Sequence, residues 1–293
     1  MAGLKEIRKR ISSVKNTQKI TRAMKMIAAT KLRKAQNAMI SARKFCDEMN
    51  KIIYTLLEKN ERDHPLLQHH SVIKREVLIV VSGDKGLCGS FNANVSRAAK
   101  KNIIELNNHG TAVTIYFIGK KAYESLKHVD AEKILDFVDI FQRFHFYQMY
   151  DLIEMLSEKY TAGEIDLVTL IYNDFKSAVS QEVKQEVLFP ITEEIFQSTK
   201  PNMDSLGRDI IAEPSPDELY GFIIKRHATT LLFTALAESA AAEFSARMNS
   251  MDSATKSAEE MVGKMVLLYN KLRQDAITKE LVEIIGGSET LKE

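Results

Sequence analysis

Long apolar runs are missing from this chain. No stretch reaches the roughly 18 apolar residues that a membrane-spanning helix needs, so nothing here reads as a membrane span. Cysteine is scarce: Cys46 and Cys88 stand far apart, without metal-ligand spacing, and suit a reducing, cytoplasm-like compartment. Five prolines serve 293 residues, and none falls in residues 1–59 or 217–286. Acids are nearly absent from residues 1–44, which hold 13 Lys or Arg against the single Glu6. The net charge of +2 therefore hides a basic start and a remainder of 28 basic against 38 acidic groups. Catalytic constellations are missing too, since no Ser-His-Asp set, zinc pattern or paired-carboxylate signature stands out. As an enzyme the chain is poorly furnished.

The proline-free ends carry helical patterns. In the first, a 3.5-residue seam runs Leu4, Ile7, Ile11, Val14, then Ala28, Leu32, Ala35, Met39, Ala42, Cys46, Met49, Ile53 and Leu56. Only Gln18, Thr21 and Lys25 interrupt it, which suggests a segment that also contacts other chains. The second offers Ala237, Ala241, Phe244, Met248, Met251, Thr255, Ala258, Val262, Met265, Tyr269, Leu272 and Ala276. Neither seam is stable alone in water, and a sustained seven-residue repeat implies a left-handed supercoil. Pairing the two as an antiparallel coiled coil, with arms of about 90 and 105 Å at the helical rise, is the central structural expectation. Everything between is then an insertion. The expected domains are 1–59 and 217–293 as coiled-coil arms, with 60–216 as a central α/β domain and linker.

The inserted stretch alternates strands and helices. After a surface connection from Asn60 to His70, Glu76 to Ser82 (EVLIVVS) reads as a buried strand, followed by GDKGLCGSFN and a helix from Asn92 to Asn108. Ala112 to Ile118 is a second strand, with a second helix in GKKAYESLK. Phe144 to Lys159 is helical, Ile165 to Tyr172 is a third strand, and Glu182 to Phe189 is a fourth, antiparallel at an edge. This alternation predicts a Rossmann-like, mainly parallel sheet. Residues 191–216 hold three prolines and read as a linker, with Ser215 or Asp217 capping the second arm and Gly286 and Gly287 ending it.

Three features invite chemistry. The Gly83 to Gly89 loop (GDKGLCG) lies between strand and helix, where phosphates bind, but it lacks both G-x-x-x-x-G-K-[ST] and the close glycine pair of the dinucleotide fingerprint. A tight turn needing positive φ explains its glycines without a ligand, and Cys88 has no recognisable base beside it. His64, His69 and His70 cluster in the connection, where a solvated loop accounts for them better than a metal does. Lys5, Arg8, Lys9, Arg10, Lys15, Lys19 and Arg22 form a positive face able to meet phosphates, yet no aromatic residue interleaves them.

Three long stretches in order resemble the gamma-subunit family of F-type rotary ATP synthases. They are the N-terminal block with NTQKIT (Asn16 to Thr21) and A-M-x-M-x-A (Ala23 to Ala28), then SGDKGLCGSFN, then ARMNSMDSATKSAEEM with YNKLRQDAITKELVEIIGG. The resemblance covers nearly the whole chain. It implies a central rotor stalk whose terminal coiled coil stands inside a ring of alternating alpha and beta subunits. The α/β domain would sit against epsilon and the membrane ring of c subunits. No catalytic residue, no cofactor, no direct small-molecule substrate and no nucleic-acid partner are implied. By position, Met24 matches the family's shaft residue facing beta, and Arg247, Arg273, Gln274 and Thr278 match polar contacts near the ring. Ile277, Leu281, Ile284 and Ile285 form an apolar stripe that would meet an apolar sleeve of the ring. Ile210 to Glu213 aligns with the segment facing epsilon and the rotor ring.

The chain departs from plastid members, whose inserted cysteine pair has no counterpart between Tyr172 and Pro216. The heptad seam starts at Leu4, which argues against a mitochondrial presequence, and a start at Met1 fits a bacterial protein at the cytoplasmic face of the inner membrane. Two other function classes are a nucleic-acid-binding coiled coil, marked by salt-sensitive DNA binding, and a nucleotide-dependent enzyme, marked by ATP turnover of the isolated chain.

Overall fold

The computed structural model of the chain describes residues 2–59, 64–142, 145–191 and 216–290. Two helices, α1 (Ala2–Lys59) and α5 (Pro216–Thr290), bracket a five-stranded sheet. Between them run β1 (Arg75–Val81), α2 (Phe91–Asn108), β2 (Ala112–Ile118), α3 (Lys120–Leu126), β3 (Glu132–Phe137), α4 (Phe146–Thr161), β4 (Leu167–Phe175) and β5 (Gln181–Phe189). Strand order is β3-β2-β1-β4-β5, with β5 alone antiparallel. The mainly parallel sheet with an antiparallel edge is thus present. β3, however, is a fifth strand that the apolar runs did not announce. Its sequence EKILDF alternates poorly, and at the sheet edge it needs no second neighbour. The third and fourth expected strands are accordingly β4 and β5.

Two boundaries depart from expectation. Gly286 and Gly287 do not end the second arm, because α5 continues to Thr290. A glycine costs a helix interior about 1 kcal/mol but does not stop it by itself. Pro216 is the first residue of α5, the position where a missing N–H costs nothing, and Asp217 is therefore inside the helix. Ser215 and the Ile210 to Glu213 segment lie outside the described residues.

Two compact units divide the chain. One comprises residues 30–246 and contains the sheet. Strand β1 lies between parallel neighbours, and its residues from Glu76 onward are buried, as a strand covered on both faces must be. One face packs Leu78, Val80, Ile115 and Phe117 against Val95, Ala99 and Ile103 of α2 and Ala122 and Leu126 of α3. The other packs Val77, Ile79 and Leu170 against Ile153 and Leu156 of α4, Met49 and Ile53 of α1, and Ile224, Ala228, Leu232 and Leu236 of α5. Helices α2 and α3 share a face while α4 lies on the other, so the winding reverses between β1 and β4. From His227 to Ala246 nearly every residue of α5 is buried, because it meets α1 on one side and the sheet on another.

The other unit comprises residues 1–29 and 247–293. Here α1 and α5 run antiparallel: Thr255 Oγ1 donates to Thr21 Oγ1 at 2.8 Å, and Lys25 Nζ lies 2.6 Å from Asp252 Oδ1. The seam positions Leu4, Ile7, Ile11 and Val14 are half-buried, as are Val262, Met265, Tyr269, Leu272 and Ala276. Two helices alone cannot cover both flanks of a seam. At Thr21 and Lys25 each polar residue meets a polar partner on α5 within the chain.

Candidate functional site

The crevice where a doubly wound sheet accepts ligands lies at the carboxyl ends of β1 and β4, where the winding reverses. Here the glycine loop follows β1. Of its glycines only Gly89 takes positive φ (59°), and Leu87 takes it as well (65°), so positive φ explains one glycine of the three. Gly83 sits instead at a close approach of side chains. A Cβ there would stand 3.2 Å from Asn92 Oδ1 and 3.6 Å from Glu243 Cγ of α5.

Side chains occupy the places that phosphate oxygens take in nucleotide sites. Gly83 N donates to Asn92 Oδ1 at 2.8 Å, and Asn92 Nδ2 donates to Lys85 O and to Cys88 Sγ, both at 3.2 Å. Asp84 Oδ1 accepts from Lys120 N at 3.1 Å and Ser82 Oγ accepts from Ala122 N at 3.0 Å, capping α3 from the neighbouring strand. Burial pushes the Asp84 carboxyl upward, against the amides of Lys120 and Asp139. Helix α5 then enters the crevice. Ser239 Oγ, fully buried, accepts from Asn173 N at 3.3 Å and donates to Asn173 O at 3.4 Å, just beyond the last β1–β4 pair. Ser245 Oγ donates to Ala178 O at 2.6 Å. The space that elsewhere holds a nucleotide is filled by the chain's own C-terminal helix.

Charges gather beside this contact. Arg43 of α1 donates through Nε to Glu238 Oε1 of α5 at 2.7 Å, and through Nη2 to Asp174 Oδ1 at 3.2 Å and Phe175 O at 3.4 Å on β4. Lys176 Nζ reaches Asp174 Oδ2 at 2.6 Å. Burial raises the Glu238 carboxyl's proton affinity while the Arg43 guanidinium opposes it. Further along the helix pair, His227 is fully buried with Nε2 at 2.6 Å from Asn50 Oδ1. An amide oxygen only accepts, so Nε2 carries the proton. Burial drives the His227 pKa down to about 3. Cys46, buried on the same pair, is pushed up to about 12, first by burial and then by Asp47 and Glu186.

The three histidines part company. His64 Nδ1 accepts from Leu66 N at 3.2 Å to cap a single 3-10 turn, Pro65–Leu67. His70 Nδ1 lies 3.0 Å from Asp166 Oδ1 and stacks on Tyr160 at 4.8 Å, and His69 is exposed. Burial works against the Asp166 charge, but His70 and the amides of Lys74 and Arg75 overcome it and hold its carboxyl below the usual range. No group of three potential metal-ligating side chains occurs among the described residues.

Met24, Arg247, Arg273, Gln274, Thr278 and the apolar stripe, matched to partner contacts by the family resemblance, all fall in the unit of residues 1–29 and 247–293. Met24 and Arg247 are half-buried, while Arg273, Gln274 and Thr278 are exposed. The last three share a short stretch with the apolar stripe, where Ile277 is 48%, Leu281 54%, Ile284 68% and Ile285 61% exposed. Arg273, Ile277, Leu281 and Ile284 recur at three- and four-residue spacing and so line one face. Arg247 is about 39 Å from Arg273 along the helix and belongs to a separate surface. From Ile277 to Ile285 every described side chain is exposed. Sequence reasoning missed Arg43, Asn50, Asp174, His227 and Ser239. The one available signal was the Ala, Ser and Thr content of residues 227–246, which allows close approach on every side.

Among the described residues, no helix is long and apolar enough to cross a membrane. A family model described as ATP synthase matches residues 3–291. The chain is 40% identical over 292 residues to the ATP synthase gamma chain of a Geobacter species, covering 100% of both. It is 35% identical over 298 residues to that of Bdellovibrio bacteriovorus, again covering 100% of both. Among solved structures it is similar to a chain of the Tetrahymena thermophila mitochondrial ATP synthase central stalk and c ring. The TM-score there is 0.59 at 27% identity, over 80% of this chain and 99% of that one. A chain of the Euglena gracilis mitochondrial ATP synthase has a TM-score of 0.66 at 18% identity, covering 99% of this chain and 95% of its own, a likeness of fold.

Proposed function

This chain belongs to the ATP synthase gamma-chain family, and from that premise we infer that it works as the central rotor stalk of the enzyme. It is not a catalytic subunit. Its partners are the alpha and beta subunits of the catalytic ring, the epsilon subunit and the membrane ring of c subunits. Rotation driven by ion flow turns the c ring and stalk together, and the stalk's asymmetry carries each beta subunit through its binding states. Two observations carry this reading: the terminal helices pair antiparallel, and within residues 30–246 the ligand crevice of the sheet is closed by α5. Such a molecule has long helical surfaces to push with.

The finer assignments extend that reading. Met24, half-buried on the pair, faces beta, and Arg247, Arg273, Gln274 and Thr278 make directional polar contacts near the ring. The apolar stripe of Ile277, Leu281 and Ile284 turns in an apolar sleeve, since dispersion and hydrophobic contact set no deep rotational well. The exposed Lys and Arg of α1 steer assembly toward acidic surfaces. The complex works at the cytoplasmic face of a bacterial inner membrane, with this chain held there through its partners. The test is reconstitution with alpha and beta subunits and a bead fixed to the central domain. ATP-driven unidirectional rotation is expected. A ring that hydrolyses ATP while a firmly attached stalk never turns sinks the reading.

A further inference from the structure

A stalk must pass torque from the sheet to its helices, and most contacts between them are poor at resisting twist. Apolar contacts between the sheet and α5, such as those of Ala228, Leu232 and Leu236, hold surfaces together without fixing an angle. Directional bonds do fix one, above all when a partner is buried and water cannot compete. Arg43 makes such bonds to two elements at once. Its planar fork spans Glu238 on α5 and the Asp174 carboxylate and Phe175 carbonyl on β4. Both acids are buried, Glu238 at 6% and Asp174 at 6% exposure. Among the described residues Glu238 Oε2 finds no hydrogen-bond partner, so the carboxylate depends heavily on the guanidinium. Lys176 grips the other oxygen of Asp174 and holds that carboxylate in place.

We propose that Arg43 is the positioning residue that locks α1, α5 and the carboxyl end of β4 into one torsionally stiff body, so that the sheet and the helix pair turn together. This deepens the stalk reading and rests on it. Arginine suits the task because its rigid fork meets both partners with fixed angles, which a lysine ammonium does with one point charge. Ser239 and Ser245 fasten α5 to β4 and the loop after it, and Arg43 brings α1 into the same joint. The joint lies where the sheet reverses its winding, which places the grip in the crevice that related topologies give to ligands.

The experiment uses the assembled complex with Asn108→Cys as the bead handle, Asn108 being exposed at the end of α2 while Cys46 and Cys88 are buried. With the ring stalled by a non-hydrolysable ATP analogue, the angular variance of the bead reports torsional stiffness. Arg43→Met is expected to raise that variance several-fold and to lower ion pumping per ATP, with unloaded ATP hydrolysis within about twofold of the parent. Arg43→Lys is expected to recover part of the stiffness. Glu238→Gln, which keeps the shape and removes the charge, is expected to loosen the joint as well and stands in if Arg43→Met does not assemble. Parent-like variance in Arg43→Met, or in Glu238→Gln where the first does not assemble, overturns the proposal. A parent complex that hydrolyses ATP without rotating refutes the stalk reading instead, so the two failures are distinct.

Discussion

Lowering the pH should unpick the helix pair at one identifiable residue. His227 is fully buried among Ile224, Ala228 and their neighbours, and it donates from Nε2 to Asn50. Its pKa is about 3 in the folded chain against an ordinary 6.5, with burial as the cause. The folded value is depressed, so between these limits the unfolded chain binds one more proton than the folded one. Above pH 6.5 the group takes nothing from stability. Below it, stability falls by about 1.4 kcal/mol per pH unit until pH approaches 3. From pH 7.5 to 5.0 that amounts to roughly 2 kcal/mol, a large share of a domain's total. His227→Gln keeps an N–H donor for Asn50 and removes the titration. Urea unfolding of the full chain, followed by tyrosine fluorescence and circular dichroism at several pH values, should show the parent losing about 2 kcal/mol more than the variant over this range. Carboxylates such as Asp166 titrate in both and cancel in the difference. Two parallel profiles, agreeing within about 0.5 kcal/mol, would refute the assignment.

Gly119→Ala should be severely destabilising, by about 2–4 kcal/mol. Its φ is +96° and an added Cβ would lie 2.0 Å from the Ser82 carbonyl oxygen, so a thermal melt close to the parent's contradicts the geometry. Cys46, with its thiol pushed to about 12, should resist a thiol reagent in the folded chain at pH 7.5 and react only on unfolding, and rapid native labelling of Cys46 counts against that burial. Removing residues 282–293 should weaken assembly or torque while ATP hydrolysis persists, which is what the proposed bearing role of the stripe requires when catalysis resides in partner chains. A fully assembled complex without hydrolysis would count against the bearing.

Much of the architecture was written in local pattern. Heptad spacing announced both terminal helices, because an apolar seam on a helix has meaning only against a second seam. The runs EVLIVVS and AVTIYFI announced β1 and β2, because strands buried on both faces need apolar side chains throughout. The three family-like blocks pointed to the gamma-chain family, which the full-length matches show. Tertiary structure decided what depends on distant parts of the chain meeting. Arg43 and Asp174 are 131 residues apart, and Asn50 and His227 are 177 apart. No periodicity within either segment predicts such a bond. Thr21 and Lys25 broke the seam in sequence, yet Thr255 and Asp252 stand opposite them, because matching two helices requires their mutual register as well as each one's pattern. The same holds for the Rossmann-like crevice: its glycine loop is local, but the helix that fills it comes from the far end of the chain.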